Sequence, residues 1–287
     1  MANNIFFFAF SFIMLNLSQI CVAGCSNPEE DTYTLKVMSF NVRYVNAGDT
    51  LERSWENRKD AVRAMVADRK PDIIGVQEAV LTQKTYMDNN CTGYKSIGVG
   101  RDDGINGGEF MAIYYLEKSV KLENWGTFWL SETPSAASKG WDASHYRTAT
   151  YATFTHIESG KKFFVINTHL DNRGTTAKAK SMELIDERIG VLNTDGYPMI
   201  LAGDFNSTIS NPVFNGLKAF MSNARTDSPQ TDNLNSFNGF GNGNESIIDH
   251  IFYTGFISLK FKTINQPYLN ITHISDHFPI EAELQFK

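Results

Sequence analysis

A disulfide framework is the first architecture this sequence rules out. Only Cys21, Cys25 and Cys91 occur in 287 residues, and the first two lie in or beside an apolar leader, which leaves Cys91 alone. Stability must therefore come from a core, and a composition of 42% hydrophobic and 20% charged residues supports one. The chain also lacks a repeat of fixed period, a low-complexity tract and a Pro/Gly/Ser-rich linker, so a single domain is expected. Basic residues are outnumbered, 26 against 32, for a net charge of −6. Non-specific duplex binding depends on Lys and Arg displacing counterions, so an acidic body makes extended nucleic acid a poor substrate.

Long apolar runs are confined to one place. Residues 5–17 form a stretch shorter than the ~20 residues that span a bilayer and suited to the core of a signal peptide. Val22-Ala23-Gly24-Cys25 follows and resembles the bacterial lipobox, in which the cysteine becomes the acylated first residue. Residues 1–35 contain no Lys or Arg, whereas a signal peptide ordinarily starts positive; a plain secretory signal is the rival reading. The expected division is a signal segment over 1–24, a tether over 25–32 and a folded domain over 33–287. The protein is thus expected to be exported, membrane-attached only through a lipid on Cys25 or else periplasmic or secreted, and to act as a monomer.

What the sequence does have is a set of polar patches, each at the end of an apolar strand-like run. They are Ser39-Phe40-Asn41, Gln77-Glu78, Asn167-Thr168-His169, Gly203-Asp204-Phe205-Asn206 and Ser275-Asp276-His277. A strand that finishes in an oxygen ligand places it at a sheet edge, where loops from neighbouring strands converge on a cleft. Residues 55–69 predict a helix, with Val62, Met65 and Val66 at helical spacing and Pro71 beyond its end, and residues 79–88 a second. Aromatic and β-branched runs from Tyr94 to Asn167 read as an antiparallel half, and 175–193 as a helix with Met182, Ile185, Ile189 and Leu192 on one stripe. Residues 223–245, rich in Asn, Gly, Ser and Asp, read as a long surface loop. The order of elements predicts an α+β, or mixed α/β, sandwich of two packed sheets with helices outside.

Each patch alone is a commonplace of turns and helix starts. Jointly, Met38-Ser39-Phe40-Asn41, Ile74-Gly75-Val76-Gln77-Glu78, Asn167-Thr168-His169, Gly203-Asp204-Phe205-Asn206, Ile248-Asp249-His250-Ile251 and Ser275-Asp276-His277-Phe278-Pro279 resemble the endonuclease/exonuclease/phosphatase superfamily, from about residue 33 to the end. That resemblance implies a four-layered sandwich, two mainly antiparallel sheets flanked by helices, and a metal-dependent phosphoesterase.

Magnesium, or manganese, takes carboxylate, amide and water oxygens and uses few protein carboxylates. Glu78 is the leading ligand, assisted by Asn41 and Asp276. His277 has the pKa range of a general base or a phosphate-stabilising donor, and the resemblance makes Asp249 its orienting carboxylate. Asp204 and Asn206 would orient the attacking water and His169 would donate to a phosphoryl oxygen; whether Asp204 or His277 takes the proton stays open. His250, His145, His156 and His273 read as structural. Glu109, after Gly107-Gly108, and Arg147 are candidates to face the substrate, with structural pairing an equal alternative. Trp125, Phe128, Trp129 and Trp141 offer either a stacking wall or core.

No nucleophilic Ser or Cys motif stands out, which favours direct attack of water over a covalent intermediate. The expected activity is hydrolysis of a phosphodiester or phosphomonoester in a small phosphoester, lipid headgroup or nucleotide. The alternatives are a secreted nuclease and a non-catalytic surface binding protein on the same fold.

Overall fold

The computed structural model describes Met1 and residues 32–287. In chain order the elements are β1 (Thr34–Asn41), α1 (Trp55–Arg69), β2 (Ile73–Val80), α2 (Leu81–Asn90), β3 (Tyr94–Ile97), β4 (Glu109–Leu116), β5 (Val120–Trp129), β6 (Thr148–His156), β7 (Lys162–His169), α3 (Thr175–Leu192), β8 (Met199–Asp204), β9 (Ser222–Asn223), α4 (Ala224–Asp227), β10 (Asp249–Thr254), β11 (Phe256–Thr263) and β12 (Ile280–Phe286). They form two six-stranded sheets, ordered β11-β12-β1-β2-β4-β3 and β5-β6-β7-β8-β10-β9. Each sheet is antiparallel except for one central pair, β1 with β2 and β7 with β8. Parallel neighbours need a crossover, and α1 and α3 supply the two that these pairs require.

Three apolar clusters show how the layers stack. Leu35, Val37, Ile73 and Ile113 of the first sheet meet Phe154, Phe163, Val165 and Ile200 of the second between the sheets. Met38, Phe40 and Ile74 point the other way, onto Val62, Met65 and Val66 of α1 and Met87 of α2. Phe164, Ile166 and Leu201 cover Met182, Ile185 and Ile189 of α3. Central strands buried on both faces explain why β1, β2, β7 and β8 are apolar runs without alternation. The result is the expected helix/sheet/sheet/helix sandwich.

Two sheets this close need room where polar side chains pass between them. Asn167 is fully buried and crosses from β7, donating to the carbonyls of Val76 (2.9 Å) and Ala112 (2.8 Å) and accepting from Gln77 Nε2 (2.7 Å). Its space is cleared by Gly75, where an added Cβ would lie 2.7 Å from Asn167 Oδ1.

Some boundaries differ from the sequence expectation. The first strand, which the sequence predicts over roughly 34–44, stops at Asn41, and Arg43 just beyond turns left-handed (φ 58°). β2 runs on to Val80 through a bulge between Val76 and Ala79, so Glu78 sits in the bulge and α2 starts at Leu81. The run 223–245 is no plain surface loop, since it holds α4 and buries Ser236 and Asn238. Its Asn238 side chain ties down Ser275 O. The expected signal segment and nearly all of the tether, including Cys25, lie outside the described residues. Among the described residues no helix is long and apolar enough to cross a membrane.

Candidate active site

Asn41 ends β1, His169 ends β7, Asp204 ends β8 and Asp249 opens the antiparallel β10, so all four fall at one end of the paired sheets. Glu78 joins them from the β2 bulge, and Asp276 and His277 from the segment before β12. The bulge re-aims a side chain that regular pleating would turn elsewhere. Glu78 (φ 64°), Asn206 (φ 46°) and Arg43 (φ 58°) are all held left-handed. Such conformations cost a non-glycine residue about 1–3 kcal/mol each and persist where the surroundings over-determine them, often at functional sites.

Arg58 of α1 holds two of these segments together. It is fully buried, and its Nη1 donates to Val42 O (2.9 Å), just after Asn41, and to Ile274 O (2.6 Å), just before Asp276. Gly203 does a similar service between β7 and β8: a Cβ there would lie 2.1 Å from Thr168 O, so only glycine lets Asp204 register against His169.

Asp204 is the hub. Its Oδ2 accepts from Asn41 Nδ2 (3.0 Å) and lies 3.4 Å from His169 Nε2 and 3.7 Å from His277 Nε2. Its Oδ1 accepts from the Asn206 amide (2.9 Å). Asn41 Nδ2 also donates to Glu78 Oε1 (2.9 Å), while its Oδ1 accepts from Arg43 N (3.0 Å). Asn41 thus brackets two carboxylates and keeps one oxygen lone pair for a ligand. His277 Nδ1 pairs with Asp249 Oδ2 at 2.8 Å, both buried, and Phe237 packs edge-on against the imidazole, centroids 5.0 Å apart. The Asn206 carboxamide donates to Leu170 O (3.0 Å) and lies 3.0 Å from His169 Nε2.

The electrostatics follow from packing charges into a dry cleft. Burial and then the Asp249 charge raise the Asp204 carboxyl to about 7. Burial opposes charge on His277, but Asp249 and Asp204 outweigh it and raise the imidazole to about 10. His169 goes the other way, held well below its ordinary value by burial and by Arg147 and Arg101, and is neutral. Burial and Glu78 raise Glu109 to about 7, and burial raises Asp276 against the pull of His277 and Arg43. Asp204, Glu109 and Asp276, each raised by burial and by a neighbouring carboxylate, mark a site rich in negative charge. Oxygen atoms of Glu78 and Asp204 lie within 4.8 Å of each other and of a His169 nitrogen, so a divalent cation fits both the donors and the charge.

The cleft has a volume of about 530 Å³, the size of a small-molecule site. Glu78, Glu109, Arg147, His169, Asp204, Asn206, Asp276 and His277 all line it, and Asn41 and Asp249 bond to liners from behind. Glu109 is paired to Arg101 and Arg147 to Asp171, so both candidates are at once paired and cleft-facing. One expectation needs correction. His145 is no mere structural histidine, since it lines the cleft beside Arg147. Of the two readings of the aromatics, core holds for Phe128 and for Trp129, whose indole N–H meets Arg101 O (2.6 Å), while Trp125 is exposed on the edge strand β5. The cleft aromatics are Tyr44 and Phe237. His250 is structural as expected, buried among Phe205, Phe214 and Phe252 with Nε2 3.0 Å from Ser207 O.

Sequence reasoning missed Arg43, Tyr44, Arg101, Asn172 and Phe237 in the cleft wall. Only Arg43 and Tyr44 carried a signal, their position just past the Asn41 patch. Comparison with known proteins agrees with the geometry. A family model described as endonuclease/exonuclease/phosphatase matches residues 38–277. A mannosyl-6-phosphatase of Bacteroides thetaiotaomicron is 33% identical and superposes with a TM-score of 0.82 over 87% of this chain and 99% of its own. An endonuclease/exonuclease/phosphatase family protein of the same species is 33% identical with a TM-score of 0.83 over 90% of this chain and all of its own. An uncharacterized protein of Acanthamoeba polyphaga mimivirus is 26% identical over 269 residues, 86% of this chain and 98% of the relative.

Proposed function

The chain belongs to the endonuclease/exonuclease/phosphatase family, whose members are divalent-metal-dependent hydrolases of phosphoric esters, and from that premise we propose that it hydrolyses small organic phosphates, sugar phosphates foremost, by direct attack of water. The observation that carries this reading is the convergence on Asp204, whose Oδ2 meets an Asn41 amide proton and lies within hydrogen-bonding or ion-pair range of both His169 and His277. Its support for a small substrate is the size of the polar cleft, the net acidic body and the mannosyl-6-phosphatase named for the Bacteroides relative.

Glu78, with Asn41 and Asp276 beside it and Asp204 and His169 within reach, would hold a divalent cation, magnesium or manganese, which would supply charge to offset what develops on the phosphoryl oxygens. Asp204, with its carboxyl raised to about 7, is matched to accept a proton near neutral pH, while Asn206 holds the water's other hydrogen-bonding side. His277, raised to about 10, is an imidazolium at that pH and donates rather than accepts. His169 is neutral and lines the cleft, where it would donate to a phosphoryl oxygen. We also propose that the enzyme is exported and acylated on Cys25; the apolar leader and the small residues before that cysteine support this. Metabolic labelling with a fatty-acid probe, lost in Cys25→Ala, tests that part.

The activity test is an aryl phosphomonoester, an aryl phosphodiester, a panel of sugar phosphates and plasmid DNA, each with magnesium and with chelator. Chelator-sensitive cleavage of the small esters is expected. Plasmid nicking with no turnover of small esters would favour a nuclease, and no cleavage of anything a binding protein.

A further inference from the structure

Arg147 is almost fully buried (4% exposed) in the cleft wall, and its guanidinium is under-used. Nε reaches Asp171 Oδ2 at 3.4 Å, and Nη1 is buried without a hydrogen-bond partner. A buried donor left unmade costs about 1–3 kcal/mol, so its persistence calls for a partner that arrives later.

Neutralising Asp171 does not explain it. Asp171 Oδ2 already accepts from Ser144 N (3.0 Å), Ser144 Oγ (2.8 Å) and His145 N (3.3 Å), and Oδ1 accepts from Arg173 N (2.9 Å) and Gly174 N (2.8 Å). Arg147 makes the longest of these contacts, and the carboxylate is satisfied without it. The dependence therefore runs the other way: Asp171 is a rigid strut that holds the guanidinium by one edge and leaves the rest of its planar fork for a ligand. Arg101 shares the wall, spends Nη1 on Glu109 and keeps a buried Nε that makes no hydrogen bond, its charge contact being Asp102 Oδ1 at 3.7 Å.

We propose that Arg147, oriented by Asp171 and backed by Arg101, receives the third non-bridging oxygen of a dianionic phosphoryl group and so makes the enzyme a phosphomonoesterase rather than a phosphodiesterase, an inference that rests on the phosphoester reading above. A monoester carries three non-bridging oxygens and nearly two charges at neutral pH. In a diester that third oxygen is esterified, uncharged and shielded by its carbon substituent, so a buried guanidinium facing it finds only a poor acceptor. Sites whose buried polar groups are left unpaired by a competitor reject it by as much as about 10⁴–10⁵-fold.

The test compares kcat/KM for p-nitrophenyl phosphate and bis(p-nitrophenyl) phosphate in the parent, Arg147→Gln, Arg147→Lys and Asp171→Asn, all with magnesium. Inorganic phosphate binding to the chelator-treated proteins is followed by calorimetry. The parent is expected to favour the monoester, and Arg147→Gln to lower the monoester-to-diester ratio at least tenfold and weaken phosphate binding by a similar factor. Arg147→Lys, which keeps charge but loses the planar fork, should fall between. Asp171→Asn covers the case in which the arginine variants fail to fold, and should raise KM for the monoester more than it lowers kcat. Equal loss on both esters, or a parent that prefers the diester, overturns the assignment to Arg147. A parent that cleaves neither ester overturns the phosphoester reading itself.

Discussion

Asp249→Asn is the substitution that asks most of the site's geometry. It keeps the side chain's shape and removes one charge, the largest of those that together outweigh burial in holding His277 protonated. The parent pair is short, 2.8 Å from His277 Nδ1 to Asp249 Oδ2, and buried on both sides. Two unit charges about 4 Å apart interact by about 4 kcal/mol at an effective dielectric of 20. A hydrogen bond to a charged group contributes a net ~1.5–3 kcal/mol, part of which the asparagine carbonyl retains. A net loss of about 3–4 kcal/mol from the imidazolium corresponds to roughly 10²–10³-fold in rate, at ~1.4 kcal/mol per factor of ten. With magnesium and a small phosphoester, kcat should fall by that factor while KM moves less than about threefold, because Asp249 sits behind His277 and does not line the cleft. Chelator-treated protein gives a second readout. A histidine whose folded pKa is about 10 against 6.5 unfolded contributes stability that is fully present below pH 6.5 and lost as pH rises toward 10. Thermal melts over that window should show the loss in the parent and a flatter profile in Asp249→Asn. A variant within threefold of the parent in kcat, or with the parent's pH slope, would refute the claim that this pair tunes the site.

Three further outcomes follow from the same geometry. Asp204→Asn should cut turnover by at least about 10³-fold while circular dichroism stays unchanged, since the hub supplies both a proton acceptor and the anchor for two imidazoles; retention of a tenth of the activity would remove Asp204 from the chemistry. Added magnesium or manganese should raise the melting temperature of chelator-treated protein, by the equivalent of about 2.7 kcal/mol at a hundred times Kd, and the rise should vanish in Glu78→Ala; persistence there would place the cation elsewhere. Gly203→Ala sets a methyl 2.1 Å from Thr168 O and should destabilise the fold by about 3 kcal/mol or more in urea titration; a loss under ~1 kcal/mol would mean that β7 and β8 can separate locally.

Most of the strands along the chain and the polar patches were legible because their signals are local. An apolar run that is buried on both faces looks the same wherever its neighbours come from, so β1, β2, β7 and β8 could be read from residues 35–38, 73–76, 163–166 and 199–202 alone. Residues such as Asp204 and His277 were legible as candidates because each followed or preceded such a run. Arg58 and Phe237 were not: Arg58 looks like any polar residue on an amphipathic helix until Val42 and Ile274 bring their carbonyls to it, and Phe237 lies in a stretch without apolar pattern until His277 packs on it.

The sequence by itself therefore determined which residue types stand at the ends of the buried strands, because hydrophobic period and turn chemistry act within a few residues. Tertiary structure decided what those groups do to one another. The raised pKa of Asp204, the charged state of His277, the bracketing of Glu78 by Asn41 and the unused nitrogen of Arg147 each depend on dry contact between segments up to 163 residues apart, as in the Asn41–Asp204 bond. Electrostatic strength in a low dielectric is set by distance and burial, and neither is a property of the chain before its two sheets close on each other.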